Sequence, residues 1–167
     1  MNLKNHLVTF LFILCSVYGF SQNNNSNGSL RIVELDGFWK EVSRTINDGD
    51  FDGYVATFHE KATYVSDING KAYPIANALA GWKKDFVDTK AGLRKSSVEF
   101  KFKKRLGDST TAYESGIFCY SFEEKGEKKA YYINFDGLLV KDVTWKMMME
   151  YQKSKATKED WNKLNPN

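Results

Sequence analysis

The stretch Asn47–Asp67, NDGDFDGYVATFHEKATYVSD, packs a helix end, a tight turn, a second helix and a strand into one short run. Asn47-Asp48-Gly49-Asp50 ends a helix: Gly49 can take the left-handed conformation that terminates it. Asp50 can then accept the first free N–H groups of the next helix. Phe51, Tyr54, Val55 and Phe58 share one face of that helix, expected over 51–58. Ala62 to Ser66 is β-branched and aromatic, as a strand requires, and Asp67-Ile68-Asn69-Gly70 has the composition of a hairpin turn. A short strand over 71–73 leads to Pro74, which suits the first turn of a third helix.

The pattern extends in both directions. Upstream, Leu30, Val33, Leu35, Phe38, Trp39, Val42 and Ile46 recur at spacings of three and four, an amphipathic helix from Ser29 to Ile46. Downstream, Ile75, Leu79, Trp82, Phe86 and Val87 continue the third helix until Lys90-Ala91-Gly92 stops it. The period then changes to two. Val98, Phe100 and Phe102 alternate with Glu99, Lys101 and Lys103, a half-buried strand. Further strands are expected over 110–122, 130–140 and 144–152. Helices followed by segregated strands imply an α+β domain, with helices against one face of a curved antiparallel sheet.

The chain begins as an export address does. Lys4 precedes the apolar run Leu7 to Cys15, and Gly19-Phe20-Ser21 offers small residues at a signal-peptidase site. A signal peptide over 1–21, cut after Ser21, is expected, and with it a secreted or periplasmic location. The run is shorter than the roughly 20 residues of a membrane span. No membrane segment is expected after cleavage. Leu14 stands where a lipoprotein signal wants a small residue, which argues against Cys15 as a lipid anchor. Residues 22–29 are polar and of low complexity, an expected disordered lead-in. The domain is read as 30–153, followed by a polar, lysine-rich tail over 154–167.

Composition removes several function classes. Lys and Arg number 24 against 21 Asp and Glu, for a net charge of +3, so no nucleic-acid partner is expected. The local cluster Lys101, Lys103, Lys104 and Arg105 reads as a solvated strand edge that resists edge pairing. Past Ser21 only Cys119 and His59 remain of their types, which forbids an internal disulfide and a zinc site built from several His or Cys ligands. Cys119 falls in an apolar strand, the setting of an inert thiol, and His59 in a charged, loop-like run. There is no glycine-rich phosphate loop and no Gly-x-Ser-x-Gly elbow. No metal or cofactor is expected.

With INDGDFDGYVATFHEKATYVSDINGKAYPI early and YYINFDGLLVKDVTWKMMMEYQ late, the chain resembles the nuclear transport factor 2-like superfamily, in its SnoaL-like and ketosteroid-isomerase-like branch. The resemblance spans Leu30 to Gln152. It rests on Gly49-Asp50 with Asp52, on Ala62-Thr63-Tyr64-Val65 and on Trp145-Lys146-Met147. It implies a cone, a bent sheet wrapped around the first helix with a pocket open at one end (the cystatin-like α+β roll). Tyr54, Phe58, Tyr64, Trp82, Phe86, Tyr113, Tyr132, Asn134 and Trp145 are then the expected lining, for a small hydrophobic or aromatic ligand. Any one of these aromatics can equally be plain core.

The isomerase chemistry does not carry over. The resemblance places the oxyanion tyrosine at Val42 and the proton-moving acid at Ser66, so ketosteroid isomerase activity is not expected. Three other acids are candidates. Asp136 shares strand parity with Asn134 and Tyr132 and would form a polar floor if that face were interior. The opposite parity makes Ile133, Phe135 and Leu139 the core and turns Asp136 to solvent. Glu114, between Tyr113 and Ser115, fits either face. Asp67 lies one residue past the acid position, where a strand shows its other face, and is also the natural first residue of the turn. The strands after Thr110 are apolar on both faces, which suggests a homodimer through the outer sheet face. Two functions remain: a pocket protein with cofactor-free acid/base chemistry, or a non-catalytic homodimeric assembly domain.

Overall fold

The computed structural model describes residues 24–165; the signal-peptide reading over 1–21 and Cys15 lie outside them. The elements in order are α1 (Asn24–Asp48), α2 (Phe51–Ala56), β1 (Phe58–Ser66), β2 (Lys71–Pro74) and α3 (Ile75–Lys90). They are followed by β3 (Arg94–Gly107), β4 (Thr111–Glu124), β5 (Glu127–Lys141), β6 (Trp145–Ala156) and α4 (Lys158–Asn162). One six-stranded sheet runs β2-β1-β6-β5-β4-β3. Every pair is antiparallel except β1 with β6. The α+β class and the bent sheet around the first helix are as expected.

The opening stretch folds largely as its residues dictate. Gly49 has φ +66° and Asp50 Oδ1 accepts from the Gly53 N–H at 2.9 Å. Arg44 spans the junction, pairing with Glu41, Asp48 and Asp50. The second helix is shorter than its periodicity suggests: it stops at Ala56, and Phe58 already belongs to β1. His59 is therefore a strand residue, its Nδ1 accepting from the Lys61 N–H at 3.0 Å.

Both ends of the domain differ from expectation. Helix α1 begins at Asn24, inside the stretch read as a disordered lead-in. The stretch read as a tail instead completes β6 and forms α4, closed by a capping box between Thr157 and Asp160. Trp161 of α4 is buried, 6.0 Å from the Tyr132 ring. Lys101 Nζ donates to the Trp161 and Leu164 carbonyls at 3.2 and 3.0 Å. A single apolar anchor docks this short, polar helix onto the outer face of the sheet.

Leu35, Trp39, Val42 and Thr45 of α1 face the hollow of the sheet, with α3 presenting Ile75, Ala78, Leu79 and Phe86. Ala112, Phe135 and Leu139 meet them from the strands. Three single-residue bulges interrupt the ladders, at Lys103 in β3 and at Met148 and Lys153 in β6. Bulges bend and twist a strand, so the sheet curls around α1 and cannot lie flat. Each bulge also reverses which face the following residues show.

Candidate functional site

The curl encloses a cavity of about 430 Å³, open at one end. Its walls are aromatic and aliphatic: Trp39 and Val42 from α1, Trp82 and Phe86 from α3, Phe100, Phe118 and Phe135 from the sheet. Ring contacts tie them together, with Trp39 and Phe100 centroids 4.5 Å apart and Tyr64 and Trp82 at 5.5 Å.

Two polar patches break this wall. In the first, the buried Arg94 is held by Asp85 at 3.2 Å, Ser96 Oγ at 3.2 Å and the Tyr120 hydroxyl at 2.9 Å, and it lies 3.6 Å from the Phe122 ring centroid. Thr89 Oγ1 closes the group on Ser96 Oγ at 2.8 Å. Asp85, Thr89, Ser96 and Tyr120 all reach the cavity surface. The second patch is Glu150 with Gln152, whose Nε2 donates to Glu150 Oε1 at 2.8 Å. Protein surrounds Glu150, although its side chain keeps some contact with water through the cavity. Desolvation pushes its pKa above the usual carboxylate range, and the Gln152 hydrogen bond only partly offsets this. Burial likewise raises the phenol of Tyr54 well above its ordinary value and that of Tyr64 above its own, with the Glu150 charge adding to both. A carboxyl group in an apolar cavity beside phenols is an arrangement that holds or moves a proton.

Of the residues expected to line a pocket, Tyr54, Phe58, Tyr64, Trp82 and Phe86 face the cavity. Trp145 does not. It is buried at the base of the cone, where its Nε1 donates to Glu34 Oε2 at 3.0 Å. Tyr113, Tyr132 and Asn134 are on the opposite, outer face. Ile133, Phe135 and Leu139 are buried inward, and alternation turns the even-numbered residues of β5 outward. Tyr113 pairs with Leu138 on that same outer face.

The three candidate acids are also elsewhere. Asp136 is on the outer face, with Lys153 Nζ at 2.7 Å. Glu114 faces inward but below the cavity. It is completely buried, accepting from Trp39 Nε1 at 2.5 Å and from Arg105 Nε at 2.7 Å. Asp67 is exposed in the turn and accepts from the Tyr151 hydroxyl.

Sequence alternation misses Glu150 and Gln152, and Lys155 falls in the stretch read as a tail; all three face the cavity. Met147 and Trp145 point inward, so simple alternation sends Glu150 and Gln152 outward. The bulge at Met148 reverses them: Met147 pairs with Leu139, but Met149 pairs with Leu138 and Glu150 with Gly137. A second bulge at Lys153 sets Lys155 opposite the inward Ile133. The available signal was Met147-Met148-Met149, three successive apolar residues that break the alternation.

These elements, a bent sheet closed over α1 and α3 with a cavity at its open end, define the nuclear transport factor 2-like fold. Solved structures bear this out. A protein of unknown function from Mycobacterium tuberculosis superimposes with a TM-score of 0.65 at 14% identity, covering 81% of this chain and 78% of that one. A nuclear transport factor 2-like protein of unknown function from Shewanella oneidensis gives 0.57 at 19% identity, over 74% of this chain and 99% of that one. A ketosteroid isomerase-like protein from Erwinia carotovora atroseptica gives 0.55 at 11% identity, over 76% and 97%. No protein-family model matches the chain, and a search of curated proteins finds no match.

Proposed function

We propose that this domain binds a small, partly apolar molecule in the aromatic cavity and that Glu150 serves there as a cofactor-free general acid or base. The supporting observation is Glu150 itself, a desolvated carboxyl with no cationic partner among the described residues, in a cavity whose walls are otherwise mainly aromatic. A group of that kind is unfavourable for stability and fits a site better than a scaffold. The leader-like run at residues 7–15 supports a secreted or periplasmic setting for this activity. Titration with an environment-sensitive apolar dye tests the binding. Trp82→Ala should weaken dye binding at least about tenfold while leaving the circular dichroism spectrum intact. An unchanged isotherm overturns the reading.

A second reading, assembly as a homodimer, is favoured by one observation. Val65, Tyr113, Leu138, Met149 and Tyr151 form a half-buried, mainly apolar stripe on the outer sheet face. Sedimentation velocity at micromolar concentration tests it: a dimer converted to a monomer by Leu138→Glu supports assembly there, and a wild-type monomer excludes it.

A further inference from the structure

Among the described residues, three on the cavity surface carry a carboxylate or an ammonium: Asp85, Glu150 and Lys155. Asp85 is neutralised by Arg94 at 3.2 Å, and Arg94 also meets Glu124 at 3.5 Å. Glu150 is deep in the site and desolvated. Lys155 differs from both. Among the described residues it has no ion-pair or hydrogen-bond partner for its ammonium. On an ordinary outer strand face this would be a solvated lysine of no consequence. Here the bulge at Lys153 turns it inward, opposite Ile133, which also lines the cavity.

Its position along the strand matters. Glu150 pairs with Gly137 and Lys155 with Ile133, four residues along β5. At the rise of a β-strand that separation is about 13 Å. β1 ends at Ser66, opposite Gln152, so the turn carrying Ile68 and Asn69 stands level with Lys155 at the rim. The cavity therefore has a cation at its mouth, a carboxyl at depth and, between them, mainly apolar walls broken by Gln152.

We infer that the ligand is an amphipathic monoanion, a carboxylate or sulfonate on an alkyl or aryl body, bound with its charged head at Lys155 and its apolar end toward Glu150. The opposite orientation would set an anion beside the Glu150 carboxyl in a poorly solvated space, where like charges repel most. This inference rests on the pocket-binding reading and adds the ligand's charge and direction to it. If Glu150 transfers a proton, the orientation directs that chemistry to the end of the molecule remote from the anionic head.

The test is a matched pair of dyes, anilinonaphthalene sulfonate and its neutral counterpart N-phenylnaphthylamine, titrated into the full domain and followed by fluorescence. The wild type should bind the sulfonate about three- to tenfold more tightly than the neutral dye, the scale of a rim-exposed ion pair. Lys155→Gln should remove that preference and Lys155→Glu reverse it, with the neutral dye unaffected. Lys153→Gln, on the outer face, should change neither dye. Decanoate should displace the sulfonate from wild type more effectively than decanol. If both dyes bind and Lys155→Gln leaves their ratio unchanged, the inference is overturned while the pocket reading stands. If neither dye binds wild type, both fall.

Discussion

Gly137 of β5 pairs directly with Glu150 of β6, and a Cβ at Gly137 would stand 3.3 Å from Met147 Sδ. The space a side chain would fill is taken by the flexible end of a methionine. Gly137→Val should overpack this spot and destabilise the domain by about 1–3 kcal/mol, read from urea unfolding. Displaced Met147 would intrude on the cavity, so dye affinity should fall as well. Gly137→Ala, which Met147 can accommodate, should be much milder.

The raised pKa of Glu150 predicts a distinct pH dependence. The folded protein holds this proton at pH values where the unfolded chain, with a pKa near 4.5, has released it. The folded state then binds more protons, so this group's contribution to stability falls as pH rises from 4.5 up to the folded pKa, and levels off above it. Glu150→Gln removes the effect. The variant should melt above wild type at neutral pH. The gap between the two proteins should shrink as pH falls toward 4.5. Melting curves of both proteins across this range measure it, and the subtraction cancels the other carboxyl groups. Any turnover the protein has should be lost in the same variant.

Glu114 should behave in the opposite way. It joins Arg105 to Trp39, and Arg105 also binds Asp36 at 2.5 Å. Glu114→Ala leaves the indole N–H without its acceptor and the Arg105 guanidinium with Asp36 alone, at about 1–3 kcal/mol. Glu114→Gln keeps an acceptor for one of them and should lose less. Chemical denaturation of the two variants gives the comparison. Glu114 is not itself on the cavity surface, but it fixes the Trp39 indole, which is, so dye affinity of the folded fraction should fall in Glu114→Ala and less in Glu114→Gln.

Gly49→Ala probes the turn that separates the first two helices. A Cβ there would stand 2.4 Å from the Lys90 backbone nitrogen and 2.5 Å from the Phe86 carbonyl oxygen. The positive φ adds about 1 kcal/mol, and neither backbone atom can move aside without shifting the end of α3. A loss above about 3 kcal/mol is expected, measured by the urea midpoint. A near-neutral result would mean that α3 does not pack against this turn.

The helices and the α+β order were legible because each depends on local periodicity and punctuation. Gly49-Asp50 ended one helix and capped another, and Ile75 to Phe86 kept a single apolar face. The strand faces were legible only as far as alternation continued unbroken. On β5 it does, and the parity that made Ile133, Phe135 and Leu139 the core correctly turned Asp136 outward. On β6 it does not: Met148 and Lys153 are extra residues in the ladder, with no glycine or proline to announce them. Tyr132 and Trp161 failed for a different reason. Their partner surface is the outer sheet face, and a five-residue helix is too short to show an amphipathic stripe.

The parallel pairing of β1 with β6 also bears on how the chain reaches this structure. β1 and β2 come from the first half of the domain and β3, β4 and β5 from the second. Among the described residues only β6, which follows both sets in the chain, joins them. The pairing of Tyr64 with Glu150 closes a loop of more than half the chain, and pairings of such high contact order form slowly. A nascent chain lacking β6 can hold the β3–β5 meander but cannot close the cone, so the cavity takes shape only once β6 has joined the two sets.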